Sequence, residues 1–483
     1  MLSSGPLESA IVELAEGGEM ELTAVKRLEQ IVFDKMAASG LPGLSLALVA
    51  GDQVIYARGF GQRDLEQGLA ATPDTLYGIG SVTKSFTALA IMRLAEAGRL
   101  SLQDPVDQYL PFPFKPKGET VRLHHLLSHT SGLPALAYGE AVIRYANRIG
   151  GRYLPIASPE DILTFMDGAE SWEEAAPGQR WFYFNEGYAL LGLIIERLSG
   201  KSYAEYLRDE ILLPLGMTRS CFTRQELAND RDAAVPYVLS EDKPPRVGEY
   251  LFRAIRSEGG LFSSVIELAR YLQLYFEGGK GIVSPEGLKQ MMTPYVASPT
   301  QSMPGLWGEA APGEHNVHYG YGLSSQEFFG QRLVGHGGSV LVSTAHLAFI
   351  PERKLGVAIL ANGSGYPLSQ LAQVALALEL GQDLASLPFW RLEEAITPLV
   401  GRYHSFKETM QAEVARRGDF LQLTFPDSAQ PQRVILVPHR LDNHEPSFFT
   451  LAGGRRLEVT FRPSEAGVEL IYERYKLRRS GPL

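Results

Sequence analysis

Cysteine is almost absent from this sequence, and so are the marks of secreted, membrane-spanning and nucleic-acid-binding chains. The one cysteine, Cys221, cannot form an internal disulfide. The N-terminal stretch "MLSSGPLESAIVELAEGG" has neither a basic region nor an apolar run of signal-peptide kind, and nothing later approaches the roughly twenty apolar residues of a membrane span. A net charge of −10 argues against a basic surface for nucleic acid. We therefore expect a cytoplasmic protein that binds neither nucleic acid nor membrane, with Cys221 as a structural thiol.

What is present is the composition of an ordinary globular protein without internal repeats. Hydrophobic residues make up 45% of the chain and charged residues 21%. A chain of 483 residues exceeds the usual size of a single core, so at least two domains are expected. We predict an N-terminal extension at 1–20, a main domain at 21–390 and a small antiparallel β-barrel at 398–483, with 387–397 as the approach to the boundary.

The order of the elements predicts the fold class of the main domain. Apolar residues at helical spacing predict a helix over 22–39, and two β-type runs around "GDQ" predict a hairpin over 43–61. The middle of the chain is mostly helical, and strands return in "QRLVGHGGSVLVSTAHLAFIPERKLGVAILANGSG". This pattern predicts an α/β fold, a sheet flanked by helices with an inserted helical region, and a cleft between the two parts.

The stretch "GIGSVTKSFTALAIMRLAEAG" places Ser81 at the start of a helix and Lys84 three residues further on. A serine at this place can cap the helix. It can also be a nucleophile, because positions i and i+3 share one helix face and a lysine with a lowered pKa can accept the hydroxyl proton. The motif alone leaves both interpretations open.

Two further stretches favour the catalytic interpretation. In "WFYFNEGYALLG", Tyr183 and Asn185 precede a helix; a tyrosine beside a lysine can move protons, and a carboxamide can orient an acyl substrate. The alternative is a buried tyrosine and an N-cap asparagine. In "LVGHGGSVLVS", His336, Gly337 and Gly338 begin a strand, where glycines let a substrate backbone approach closely and a following N–H group can bind an oxyanion.

In this order and spacing, the three stretches resemble the motifs of the serine β-lactamase and penicillin-recognising superfamily. The nearest resemblance is to its class C branch, with the related D-aminopeptidases and esterases. It extends over about residues 25–365 and includes "LHHLLSHTSGLP", "LLPLGMTRS", "EGGLFSSVIELARYL" and "GVAILANGSG". The C-terminal segment is similar to the lipocalin-like barrel that some peptidases of this group carry.

The resemblance implies covalent catalysis without a cofactor. Ser81 would attack an amide or ester carbonyl, while Lys84 and Tyr183 would share the general acid and base work. His336 would be the fourth catalytic residue and would donate a hydrogen bond to the active site. The backbone N–H groups of Ser81 and Ser339 would form the oxyanion hole. Asn185, with the two glycines of the His-Gly-Gly triplet, would contact the substrate. Which member of the lysine–tyrosine pair holds the mobile proton stays open, because a coupled pair titrates as a unit.

Two positions depart from the common family pattern. His336 stands where many β-lactamases have a lysine, and a neutral imidazole attracts a substrate carboxylate less while still able to donate a hydrogen bond. The triplet therefore resembles the D-aminopeptidase branch and argues against penicillins as main substrates. Glu258, in "RSEGGLF", stands where small residues are usual; its carboxylate would receive the ammonium of an N-terminal amino acid, or else be a solvated loop acid.

From these residues we expect a serine hydrolase of small amides or short peptides, with D-amino-acid substrates favoured. A carboxylesterase is the nearest alternative, followed by a β-lactamase or penicillin-binding protein and by a catalytically silent ligand-binding protein. Association into a homo-oligomer is left open. His125 and His129 are four residues apart, but no third ligand follows at a suitable spacing, so no metal is expected.

Overall fold

The computed structural model describes residues 20–156, 158–240, 243–252, 254–298, 317–426, 432–441, 445–465 and 467–483. The expected N-terminal extension, 1–20, lies outside these ranges except for Met20. Contacts along the chain divide it into two compact units, of which the first ends at Leu380 and the second begins at Gly381.

The α-helices of the described residues fall almost entirely in the first unit. They are α1 (Leu22–Ser39), α2 (Thr83–Glu96), α3 (Leu123–Leu127), α4 (Tyr138–Ala146), α5 (Asp161–Phe165), α6 (Asn185–Ser199), α7 (Tyr203–Leu207), α8 (Arg224–Asn229), α9 (Val265–Phe276), α10 (Pro285–Met291), α11 (Leu368–Glu379) and, in the second unit, α12 (Pro388–Ile396).

Most strands of the first unit belong to one antiparallel sheet, and the remainder form two short pairs. The strands are β1 (Gly43–Ala50), β2 (Gln53–Asp64), β3 (Leu69–Ala70), β4 (Tyr77–Gly78), β5 (Tyr237–Ser240), β6 (Lys243–Val247), β7 (Phe262–Ser263), β8 (Val296–Ser298), β9 (Val317–Tyr319), β10 (Ser324–Phe328), β11 (Gln331–Ser339), β12 (Thr344–Ile350) and β13 (Leu355–Ala361). The nine-stranded sheet has the order β3-β2-β1-β13-β12-β11-β10-β9-β8, while β4 pairs with β7 and β5 with β6.

The first helix and hairpin have the positions that the sequence predicts. Helix α1 buries the apolar stripe of Leu28, Ile31, Val32 and Met36, and it ends where Gly40 adopts a left-handed conformation with φ +67°. Strands β1 and β2 are consecutive and antiparallel. Local periodicity therefore decides this part of the fold.

The centre of the sheet is covered on both faces. Every residue of β13 is buried, and both α9 and α11 pack against this strand. A strand buried on both faces needs a continuous apolar run instead of an alternating one, and "LGVAILA" supplies it. The helices α2 to α8 lie between β4 and β7 in the chain, which confirms the predicted α/β fold with an inserted helical region.

The second unit is a closed antiparallel barrel, as predicted. Its eight strands in the described residues are β14 (Gly401–His404), β15 (Gln411–Arg417), β16 (Phe420–Phe425), β17 (Gln432–Arg440), β18 (Ser447–Ala452), β19 (Arg455–Ser464), β20 (Gly467–Tyr472) and β21 (Tyr475–Gly481). Alternate residues such as Val414, Leu421 and Leu423 are buried inside it. Helix α12 adds Leu392 and Ile396 to the same apolar core.

Across the described ranges, no helix has both the length and the apolar character that a membrane crossing requires. Cys221 is buried, and this burial raises the pKa of its thiol to about 12. A thiol with so high a pKa is a poor nucleophile at neutral pH.

Candidate active site

Ser81 lies on a 3-10 turn, Gly80–Val82, that leads directly into α2. Gly80 has a φ of +52°, a conformation that favours glycine. Neither the turn nor α2 has a side-chain cap at its start. The half-buried Ser81 hydroxyl is therefore not used as a helix cap. It faces the side chain of Lys84 instead.

Lys84 is completely buried and contacts the serine directly. Its Nζ atom lies 3.0 Å from Oγ of Ser81 and donates a hydrogen bond of 2.6 Å to the backbone oxygen of Glu258. Burial disfavours the ammonium form and lowers the pKa of Lys84 to about 7, although the carboxylates of Glu258, Glu140 and Glu186 oppose this shift. A large share of the lysine is therefore neutral near pH 7 and able to accept a proton.

Tyr183, which lies shortly before α6, completes the group around the hydroxyl. The Nζ atom of Lys84 is 4.9 Å from the centre of its ring. Burial raises the pKa of Tyr183, and the charge of Glu140 adds to this, while a hydrogen bond with Ser81 opposes it. Tyr183 is therefore a neutral phenol at pH 7. It can donate its proton, and it must then regain a proton from a neighbouring group.

His336 lies near the end of β11, and not at the start of a strand as the sequence predicts, and it is buried and neutral. Its Nδ1 atom is 2.5 Å from the backbone oxygen of Gly337, so Nδ1 carries the hydrogen. Its Nε2 atom is 2.9 Å from the hydroxyl of Tyr319 and accepts from it. Burial, together with the charge of Lys84, lowers the pKa of His336 to about 3. Both ring nitrogens are thus occupied by protein groups, and neither carries a charge toward a substrate. The hydrogen bond that His336 is predicted to donate to the active site is made to the backbone oxygen of Gly337 instead.

The end of β11 packs closely against the turn that bears Ser81. A β-carbon added to Gly338 would lie 2.0 Å from the backbone oxygen of Ile79 and 2.9 Å from the backbone nitrogen of Ser81. The backbone nitrogens of Ser81 and Ser339 therefore lie on two chain segments that are in close contact. Two N–H groups in such an arrangement are what an oxyanion hole requires.

The surroundings of Asn185 and Glu258 differ from those that the sequence predicts. Asn185 is the first residue of α6, and its side-chain nitrogen lies 3.3 Å from Oε1 of Glu140. The Glu258 carboxylate is buried, not solvated, and it accepts a hydrogen bond from the hydroxyl of Tyr138. Its substrate contact stays a prediction, whereas its backbone oxygen contacts Lys84.

Sequence reasoning missed two residues around the site. Glu186, directly after Asn185, is fully buried, and its burial raises the pKa of its carboxyl to about 7. The hydroxyl of Tyr319 binds His336. Neither residue stands in a pattern that separates it from an ordinary core or surface position, so no sequence signal could have identified them.

His125 and His129, the two histidines spaced four residues apart, have separate surroundings. The Nδ1 atom of His125 accepts a hydrogen bond of 3.0 Å from the backbone of Arg122, within the first turn of α3. His129 lies among the aromatic rings beside the site, and its ring centre is 4.4 Å from that of Tyr183. The two side chains therefore serve different local structures.

The chain matches two protein families in succession. Residues 28–381 match the family described as Beta-lactamase. Residues 384–478 match the Pab87 octamerisation domain. The first match covers well over half of the chain, and the second coincides with most of the barrel unit.

Individual relatives agree with the first match. The structure of the octameric penicillin-binding protein homologue from Pyrococcus abyssi is similar, with 43% sequence identity, a TM-score of 0.87 and coverage of 94% of this chain and 99% of that chain. Penicillin-binding protein 4* of Bacillus subtilis (strain 168) is 28% identical over 454 residues, which are 89% of this chain and 92% of that protein.

A third relative is matched over part of its length. Protein flp of Staphylococcus aureus (strain N315) is 27% identical over 342 residues, which are 70% of this chain. The match spans 63% of the length of that relative. Together with the fold and the grouping of Ser81, Lys84 and Tyr183, the matches support a serine hydrolase. The chain belongs to the Beta-lactamase family.

Proposed function

We propose that this protein hydrolyses small amides or short peptides through an acyl-enzyme on Ser81, with D-amino-acid substrates as the favoured class. The observation that carries the proposal is the 3.0 Å separation between Oγ of Ser81 and Nζ of Lys84. Because burial lowers the pKa of Lys84 to about 7, a neutral amine is available as the base at neutral pH.

In the first half of the reaction, the neutral amine of Lys84 takes the Ser81 hydroxyl proton while Oγ bonds to the substrate carbonyl carbon. The backbone N–H groups of Ser81 and Ser339 bind the oxygen on which negative charge develops. The phenol of Tyr183 then gives its proton to the leaving nitrogen as the carbon–nitrogen bond breaks. The proton on Lys84 replaces the one that the tyrosine has lost.

In the second half, water releases the acyl group. Lys84, again neutral, accepts a proton from the water as its oxygen bonds to the acyl carbon. The bond between that carbon and Oγ of Ser81 breaks, and the proton returns to Oγ. This assignment makes Lys84 the base and Tyr183 the acid, because burial lowers the pKa of the amine and raises the pKa of the phenol.

The surroundings of His336 support small amides over penicillins. A penicillin carries a carboxylate, and a cationic side chain at this place would attract it. His336 is neutral, and its two ring nitrogens are bound to Gly337 and Tyr319. The site therefore offers such a carboxylate neither a charge nor a free N–H group from this histidine.

We also propose that the protein forms a homo-oligomer. The match of residues 384–478 to an octamerisation domain and the octameric assembly of the Pyrococcus abyssi homologue support it. Native mass spectrometry of the full chain should give a single assembly of several copies. A monomer at micromolar concentration would contradict the proposal.

One substrate panel tests the proposed activity. The protein would be exposed to D-amino-acid amides, L-amino-acid amides, a short nitrophenyl ester and a penicillin, with turnover and intact mass measured for each. We expect turnover of amides, D-forms fastest, and none with Ser81→Ala. Turnover of the ester alone would assign a carboxylesterase, and a lasting penicillin adduct without other turnover would assign a penicillin-binding protein. If Ser81→Ala kept full activity, the mechanism would be wrong.

A further inference from the structure

His129 contacts the backbone on both sides of Tyr183. The amide of Phe182 donates a hydrogen bond of 2.8 Å to the backbone oxygen of His129. The amide of Phe184 donates one of 3.0 Å to its ring atom Nδ1. Tyr183 is thus the residue between two amides that a single histidine holds.

The ring of His129 also packs directly on the tyrosine. Its centre is 4.4 Å from that of Tyr183, 5.1 Å from that of Tyr188 and 4.7 Å from that of Tyr319. The histidine is completely buried, and its backbone has a φ of +58°, which is uncommon for a residue other than glycine. The ring of His129 therefore packs against Tyr183 from a backbone conformation that few residue types adopt.

The hydrogen bond from Phe184 determines the tautomer of the ring. An Nδ1 atom that accepts from an amide carries no hydrogen, so the hydrogen is on Nε2. Nε2 has no hydrogen-bond partner among the described residues. Buried polar groups without a hydrogen-bond partner are rare in proteins, so the unpaired Nε2 atom of His129 needs an explanation. The bond to Phe184 is available only to the neutral ring.

We infer that His129 is a positioning residue that holds Tyr183 in place beside Lys84 and Ser81. The inference rests on the proposed function, in which Tyr183 passes a proton to the leaving group. Proton transfer depends on sub-ångström placement of donor and acceptor, so a tyrosine on a loosened segment would transfer protons slowly while the substrate still binds. The described hydrogen bond of the His129 ring is made with the amide of Phe184 and not with Ser81 or Lys84, so we assign His129 an effect that acts through Tyr183.

Three substitutions separate this role from that of an ordinary core residue. His129→Asn keeps an acceptor near the position of Nδ1, and asparagine tolerates positive φ. His129→Gln has a volume closer to that of histidine but places its amide further out, beyond the reach of the Phe184 amide. His129→Gly also tolerates positive φ and supplies no side-chain acceptor. Thermal unfolding of each variant reports whether the fold is retained.

We expect kcat to depend on whether the side chain at position 129 supplies a hydrogen-bond acceptor for the Phe184 amide, and not on the size of that side chain. His129→Asn should keep kcat within about fivefold of wild type, whereas the Gln and Gly variants should lose about 10–100-fold in kcat with little change in KM. In hydrogen exchange measured by mass spectrometry, the segment 181–185 should exchange faster in the Gln and Gly variants only. If Asn lost as much activity as Gln and Gly, or if none of the three changed kcat, the inference would be overturned.

The exchange measurement separates failure of this inference from failure of the proposed function. Persistence of activity in Ser81→Ala would refute the proposed function and would leave the exchange pattern unaffected. Unchanged exchange of 181–185 in both His129→Gln and His129→Gly would refute the holding role of His129 even when Ser81 is confirmed as the nucleophile.

Discussion

Gly80 leaves no space for a side chain between itself and Ser339. A β-carbon on Gly80 would lie 2.7 Å from the backbone nitrogen of Ser339, and the reciprocal contact places a β-carbon of Gly338 2.9 Å from the nitrogen of Ser81. The two chain segments approach this closely because each has a glycine at the contact. The predicted oxyanion hole therefore requires glycine at positions 80 and 338 as well as the backbone amides of Ser81 and Ser339.

We expect Gly338→Ala to reduce kcat/KM by about 10²–10³, the usual cost of losing one oxyanion donor. The added methyl group would overlap the backbone oxygen of Ile79, so β11 and the turn bearing Ser81 must move apart. Gly337→Ala is the matched control, since its methyl would meet only the His346 ring at 3.4 Å, and it should lose less than about tenfold. Steady-state kinetics on one amide and one ester measure both; equal losses would contradict the packing argument.

The pH dependence of activity should report the ionisation of Lys84. Because burial lowers the pKa of this lysine to about 7 and the neutral amine is the base, kcat/KM should rise with pH up to about 7 and then level off. Glu186→Gln is the control, because burial raises the pKa of Glu186 to a similar value, about 7. Its rising limb should remain, at slightly lower pH, because a carboxylate that raises the pKa of Lys84 has been removed. Loss of that limb in Glu186→Gln would assign the ionisation to the glutamate.

The same lysine should destabilise the fold near neutral pH. Its pKa is about 7 in the folded protein and about 10.5 in the unfolded chain, so between these values the unfolded state binds more protons and stability rises with pH. Lys84→Met removes this ionisation and should unfold at a higher temperature than wild type at pH 7, with the difference shrinking toward pH 10. Thermal melts over this range measure it. A difference that stays constant with pH would contradict the lowered pKa.

Tyr183→Phe should reduce the rate of amide hydrolysis much more than the rate of ester hydrolysis. The phenol is the proposed acid for the leaving group, and an amine leaves only when protonated, whereas nitrophenolate leaves without a proton. We expect kcat for amides to fall by about 10²–10⁴ and kcat for the nitrophenyl ester to fall much less. Both rates would be measured with the same enzyme preparation. Equal losses on the two substrates would point to a role of Tyr183 in activating Ser81 instead.

The sequence predicted those elements of the fold that are determined by residues close together in the chain. Helix α1 has its predicted bounds because its apolar stripe and Gly40 act within a few residues. The closed barrel was predicted from alternating runs separated by turn residues. The pairing of β13 with β1 joins segments about 300 residues apart and has no local signal, whereas the pairing of β13 with β12 joins consecutive strands.

The site shows the same limit. The spacing of Ser81 and Lys84 predicted their contact, because i and i+3 share a helix face. The partner of Lys84 on its other side is a backbone oxygen, that of Glu258, and any residue type supplies one. Glu258 is singled out in the sequence because its charge is unusual at this position. In the structure its carboxylate contacts Tyr138, and its backbone oxygen contacts Lys84.

The role of the Glu258 carboxylate can be tested by comparing two substrates. If it receives the ammonium of an N-terminal amino acid, Glu258→Gln should reduce kcat/KM for a free amino-acid amide by about tenfold or more and leave the N-acylated amide nearly unaffected. The carboxylate already accepts from Tyr138, so Tyr138→Phe is the matched control. That variant frees the carboxylate for a substrate while keeping its charge, and it should retain the preference for free amides. Equal losses on both substrates in Glu258→Gln would mean that the carboxylate supports the loop whose backbone oxygen binds Lys84, and that it does not contact substrate.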